Sequence, residues 1–296
     1  MRLLLASLVM ALSLAFSVAA LPAVAAEGDG AWISVPKSVA IGEPFLVSAG
    51  GEGVSKVVVR WMGKTLELVP GTNGQPQGAC EALLPVSLKE TKKSLPLAVS
   101  VFRGGKEEKK NYSIAIVQKQ YPVQRLKVAP KFVTPPASEK ERIKRDRQQI
   151  NDAISVVSPV RHWQYRFDRP VPGEITSEFG LRREFNGQKK NPHMGLDLDG
   201  VTGEPIVAAE SGTVVVVADF YYGGNTVIID HGLGVFTLYL HMDSFAVNKG
   251  QKVSRGTTIG YVGSTGRVTG PHLHLSVNVL GQSVNPSSVL EPYPGQ

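Results

Sequence analysis

The chain has 296 residues, 42% of them hydrophobic and 19% charged, with a formal charge of +7 and one cysteine. That composition excludes an intrinsically disordered chain and is long enough for two domains, while the lone Cys80 excludes a disulfide within the monomer. The mild positive balance favours an anionic partner, and with no basic stripe interleaved with aromatics there is no nucleic-acid motif.

In chain order, residues 1–26 read as a signal peptide: a cation at Arg2, an apolar run from Leu3 to Val18 and small residues in "AVA" to frame a cut. Export is the expectation, with the periplasm as destination, or otherwise secretion or the cell wall. No later stretch is apolar enough for stable membrane insertion after cleavage. Residues 27–128 alternate short apolar runs ("KVVVRWMG", "LPLAVSVF", "YSIAIV") with turns rich in Gly, Asn and Lys, which predicts a β-sandwich accessory domain. Residues 129–168 form a linker with a helix. There Ser138 and Glu141 have capping-box spacing, and Ile143, Ile150, Ile154 and Val157 fall on one side. Arg142, Lys144, Arg145 and Arg147 read as its solvated face. Residues 169–296 return to strand and turn, denser in β-branched residues, and predict an antiparallel β-sheet or sandwich with a groove. The fold class is therefore mainly β.

Five of the six histidines fall in that last region: His193, His231, His241, His272 and His274. In "GPHLHLSVNVL" a period of two places His272, His274, Ser276 and Asn278 on one face and Leu273, Leu275 and Val277 on the other. If "NPHMGLDLDG" is extended, His193, Gly195, Asp197 and Asp199 share a face, and Gly195 leaves room for an ion between imidazole and carboxylate. One imidazole and one carboxylate from this segment, with one imidazole of the His272/His274 pair, make a three-ligand zinc set with the fourth position open. The other imidazole of the pair lies one pleat away, placed to move protons, and His241 is a candidate oxyanion donor. His231 and His162 read as structural. "GSTGRVTG" precedes a strand, not a helix, so it reads as a flexible loop at the groove rim and not as a phosphate cradle.

"HMGLD", "YLH" and "GPHLHL", in this order over residues 170 to 288, resemble the lysostaphin-type (LytM-like) zinc endopeptidases that cut bacterial peptidoglycan. The resemblance implies His193, Asp197 and His274 as ligands of one zinc ion per chain, with His241 and His272 as catalytic residues and peptidoglycan peptide stems as substrate. It also implies that Asp199 is not a ligand. Two other functions compete: a lipoyl-type carrier module, for which no Lys stands at a hairpin tip, and a non-catalytic activator of a separate wall amidase, which would have lost ligands. Latency is left open by the sequence: the sandwich or "RREFNGQKKNP" could cover the groove, and Asn186 or Asn191 could supply a fourth ligand.

Overall fold

A computed structural model describes residues 30–291, so the segment read as a signal peptide lies outside the described residues. The first half is a two-layer sandwich. One layer has three strands, in the order Trp32–Ser34, Pro44–Gly50 and Ala79–Pro85. The other has five, in the order Ser38–Ala40, Lys106–Val117, Ser94–Arg103, Val54–Trp61 and Lys64–Leu68. Alternation in Val54–Trp61 sends Val57, Val59 and Trp61 into the core. Trp61 ties the layers together: its indole N–H donates to the Pro85 carbonyl at 2.7 Å, and Phe45 packs edge-on at 5.0 Å. Cys80 is buried in this core, and burial pushes its thiol up to about 12, which makes it inert.

The chain then leaves the sandwich through Val123–Leu126, which pairs in parallel with Arg182–Phe185. Arg182–Phe185 forms a hairpin with Gln188–Pro192 that turns at Asn186 and Gly187, with φ of 50° and 79°. Positive φ at both central positions is what a tight hairpin turn of the right twist requires.

The helix is Lys140–Ser155. The predicted capping box does not form: a 3-10 turn, Ala137–Glu139, takes up Ser138, and Glu139 stands at the cap without a side-chain hydrogen bond. Ile150 and Ile154, expected on one side, pack against the main sheet together with Ala153, whereas Val157, expected with them, lies past the last turn and is 40% exposed. Arg142 is not simply solvated, since it donates to Asp219 at 2.8 Å and anchors the helix to the sheet.

The main sheet runs Ile175–Ser177, Leu196–Asp199, His272–Val279, Val235–Met242, Gly224–Gly232, Gly212–Phe220 and Lys252–Val253, antiparallel throughout. A smaller sheet of Pro205–Val207, Thr258–Tyr261 and Ser244–Phe245 accompanies it. Leu196, Leu198, Leu273, Leu275, Val277 and Tyr239 fill the core face. Asp197, His274 and Ser276 occupy the opposite face with Leu240, Leu238 and Phe236 from the neighbouring strand, and the helix covers the latter end. One continuous apolar core joins sandwich and sheet, running from Val39 through Trp163 to Leu290.

Candidate metal centre

The register of two adjacent strands assembles the site. Asp197 pairs with His274 and Asp199 with His272, so alternation places the carboxylate and the second imidazole side by side. His193 arrives from the irregular stretch before the strand, where its backbone N–H donates to the Leu181 carbonyl and its carbonyl accepts from Gly180. His193 Nε2 lies 3.0 Å from Asp197 Oδ1, His274 Nδ1 lies 2.7 Å from the same oxygen, and the two ring nitrogens are 3.0 Å apart. All three residues are buried.

Hydrogen bonds at the far side of each ring fix its tautomer. His193 Nδ1–H donates to the Glu178 carbonyl at 2.8 Å, leaving Nε2 with a lone pair. Ser276 Oγ must spend its proton on the Met194 carbonyl at 3.0 Å, so it can only accept from His274 Nε2–H at 2.9 Å. The His274 lone pair is thereby turned onto Asp197. Burial lowers the His274 pKa to about 4 against the opposing pull of Asp197, so the ring is neutral at pH 7. Burial would raise the Asp197 pKa, but His193 and His274 beside it hold it well below the usual carboxylate range.

A carboxylate oxygen and two imidazole lone pairs at 2.7–3.0 Å repel one another unless a cation lies among them. Tetrahedral donors on 2.0–2.1 Å bonds to zinc stand about 3.3 Å apart, so a few tenths of an ångström of relaxation admit the ion. The donor set therefore fits zinc. Gly195 serves the site differently from the expectation. A Cβ there would meet His274 Nε2 and the Leu275 carbonyl at 2.5 Å each, so the glycine makes room for the imidazole and not directly for the ion.

His272 and His241 complete the cluster. His272 Nδ1–H donates to the Gly270 carbonyl at 2.9 Å, and its Nε2 faces Asp197 Oδ1 at 3.8 Å. His241 Nδ1–H donates to the Thr265 carbonyl at 2.8 Å, with its ring 5.0 Å from that of His272 and 5.9 Å from that of His274. Simple alternation would turn His241 away, because its neighbour Leu240 is the residue paired with His274. A bulge opposite Thr226 and a φ of 67° at His241 bring it round to the site. Burial, reinforced by His274 and His272, lowers its pKa to about 3, so it rests as a neutral base.

His231 stays outside the site: it is fully buried, held by the Ser211 carbonyl and Thr237 Oγ1 at 2.7 Å each, a structural histidine as read from sequence. Asn186 holds the Val128 backbone at 2.9 and 3.1 Å and is not turned to the metal donors. Nor is "GSTGRVTG" a loose rim, since Thr265 alone makes hydrogen bonds to Met242, Asn225 and His241.

Sequence reasoning missed three residues. Arg183 Nη2 donates to Asp197 Oδ2, the oxygen turned away from His193 and His274, and also to Ser177 Oγ at 3.1 Å. Gln124, from the strand that leaves the sandwich, accepts from Arg183 Nε at 3.1 Å and from Ser177 Oγ at 3.1 Å. The parallel pairing of 123–126 with 182–185 brings them together, and no local sequence signal encodes it.

A face of an antiparallel sheet with a buried His–Asp–His set and two further imidazoles beside it is a candidate metal centre. Residues 191–286 match the model of peptidase family M23. The chain is 46% identical over 112 residues to the peptidoglycan DD-endopeptidase ShyA of Vibrio cholerae, covering 38% of this chain and 26% of the relative. It is 42% identical over 120 residues to the DD-carboxypeptidase/endopeptidase Mpg of Neisseria meningitidis, covering 40% of this chain and 28% of the relative. The chain thus spans about a quarter of the length of these relatives. A solved structure from Pseudomonas aeruginosa assigned to peptidase M23 superposes over 85% of this chain and 94% of its own, with a TM-score of 0.64 and 26% identity. That overlap extends the shared fold beyond the matched domain.

Proposed function

We propose that the chain is a zinc-dependent endopeptidase that hydrolyses peptide cross-links of bacterial peptidoglycan, acting outside the cytoplasmic membrane, in the periplasm or at the cell wall. The observation that carries this reading is the full set of three donors with two further imidazoles, each with a free Nε2, on one sheet face. An adaptor that only activates a wall amidase has no need of such a set. The names of ShyA and Mpg support the same substrate class. The leader-like residues 1–26 support export. Among the described residues no helix is long and apolar enough to cross a membrane.

His193, Asp197 and His274 would hold one zinc ion, which supplies charge to polarise a peptide carbonyl and to acidify a water. The chain's own residues do the rest. His272 Nε2 is free to take the proton that the attacking water loses, with its ring fixed by Gly270. His241 is bound at Nδ1 to Thr265, so its Nε2 donates only after gaining a proton. It therefore acts first as an acceptor sharing the load of His272, and then as the donor to the developing oxyanion or leaving amine. Attack by water needs no covalent enzyme intermediate.

Mass spectrometry of purified muropeptides incubated with the protein, with and without a chelator, tests the proposal. Chelator-sensitive cleavage of a peptide cross-link is expected, and a zinc-loaded protein that cleaves none refutes it.

A further inference from the structure

The loop carrying Gly263–Pro271 fixes the catalytic imidazoles, yet one of its side chains has no part in that task. Arg267 emerges two residues after Thr265, whose carbonyl holds His241, and its own backbone N–H donates to the Tyr222 carbonyl at 2.9 Å. Its guanidinium carbon lies 4.6 Å from the Phe185 ring centroid and 4.7 Å from that of Tyr222. Phe185 ends the hairpin strand that carries Arg183, and Tyr222 stands in the turn between Gly212–Phe220 and Gly224–Gly232. Three rim elements of the catalytic face therefore meet at one cation.

Among the described residues that cation has no anionic partner. Arg183 is paired with Asp197, Arg255 with Glu210 and Asp168, and Arg161 with Glu81, whereas no carboxylate pairs with Arg267 among the described residues. Desolvation of this half-buried side chain, opposed by Tyr222 and reinforced by Arg183, lowers its pKa, so the position disfavours a charge left unpaired. Cation–π contact with two rings offsets part of that cost, and the half-buried guanidinium keeps N–H donors open to a ligand. Those donors form a planar fork that matches a carboxylate in two parallel hydrogen bonds.

We propose that Arg267 is the specificity residue of the site, receiving a free carboxylate of the substrate peptide beside the scissile amide. Stem peptides cross-linked through meso-diaminopimelate carry such carboxylates, and the inference rests on the peptidoglycan reading above. It explains why a cation is stacked between Phe185 and Tyr222 on the loop that holds His241 and His272. A rim clip between Phe185 and Tyr222 alone would need only an apolar side chain.

The test uses the full zinc-loaded chain and two synthetic cross-linked stem peptides, one with the free carboxylate flanking the scissile amide and one with the carboxamide. Wild type is expected to favour the carboxylate peptide at least ten-fold in kcat/KM, chiefly through KM. Arg267→Gln should bring the ratio close to one, with Arg267→Lys in between, because an ammonium restores charge without the fork. The lysine variant also keeps the test open if the glutamine variant fails to fold. Equal ratios in wild type and variants overturn the proposal, since a purely structural clip would slow both peptides alike. If wild type cleaves neither peptide, the peptidase reading fails. Calorimetric binding of the same two peptides then decides the inference on its own, and carboxylate-blind binding overturns it.

Discussion

Gly195→Ala is a one-methyl perturbation aimed at the heart of the metal centre. An ideal Cβ at this position falls 2.5 Å from His274 Nε2, 2.7 Å from His274 Cε1 and 2.5 Å from the Leu275 carbonyl oxygen, about 0.9 Å short of the 3.4 Å at which ordinary contact begins. The imidazole cannot swing far, because Ser276 and Met194 fix its tautomer and direction. The carbonyl cannot retreat either, since it is backbone of the strand paired with Leu196–Asp199. The backbone at 195 must therefore move, carrying His193 and Asp197, which flank it two residues away on either side. Overpacking of this kind costs about 1–3 kcal/mol, from which the stiffer unfolded chain returns about 0.4–1 kcal/mol. A Tm lower by a few degrees is expected, on the order of 2–4 °C per kcal/mol for a chain of this size. The effect on the ion is larger, because a displacement approaching 1 Å exceeds the roughly 0.2 Å that coordination distances tolerate. Titration against a chromophoric chelator should show zinc affinity weakened at least about ten-fold, in the range typical of lost outer-shell support. Wild-type zinc affinity and Tm in Gly195→Ala would refute the reasoning, since they would mean that the His274 ring does not lie against the glycine.

Variants at four further positions probe the same architecture. Arg183→Gln leaves the outer oxygen of Asp197 without its charged donor and should weaken zinc binding about 10–100-fold in the same titration, with Arg183→Lys in between. His274→Ala should abolish zinc binding with the fold retained by circular dichroism, whereas His272→Ala should keep zinc and lose about 10²–10⁴-fold in turnover; an active His272→Ala protein would remove it from the mechanism. His231 reports on stability and not on activity. Its folded pKa of about 4 lies below the ordinary 6.5 because burial disfavours the charged ring, so the unfolded chain binds the proton more tightly. Its contribution is fully present above 6.5 and is lost as pH falls toward 4, by about 2 kcal/mol between pH 7 and pH 5. Urea unfolding at the two pH values should show that slope in the wild type and a flatter one in His231→Phe.

What was legible in the sequence followed from local periodicity. Alternation in "GPHLHLSVNVL" is a property of any half-buried strand, and it correctly set His272, His274 and Ser276 on one face before any partner strand was known. The helix was likewise readable from Ile150 and Ile154, although its start was not, because a 3-10 turn took the serine that could have capped it. His241 was named as a site residue from its position at the end of "VFTLYLH", yet period two would have turned it away from His274. Only the bulge, which depends on pairing with Gly224–Gly232, brings it round.

By itself the sequence determined which residues carry metal-binding and proton-transfer groups and which of them share a strand face, because side-chain chemistry and strand period are short-range properties written in neighbouring letters. The tertiary structure alone decided how those residues are held. Strand 123–126 had to cross to the hairpin to set Gln124 on Arg183 and so support Asp197. Phe185, Tyr222 and Arg267 had to arrive from a strand end, a turn and a loop to meet at one rim. Contacts between residues tens of positions apart depend on which strand edges pair and which faces are buried together, and the cooperative packing of the whole chain settles that choice.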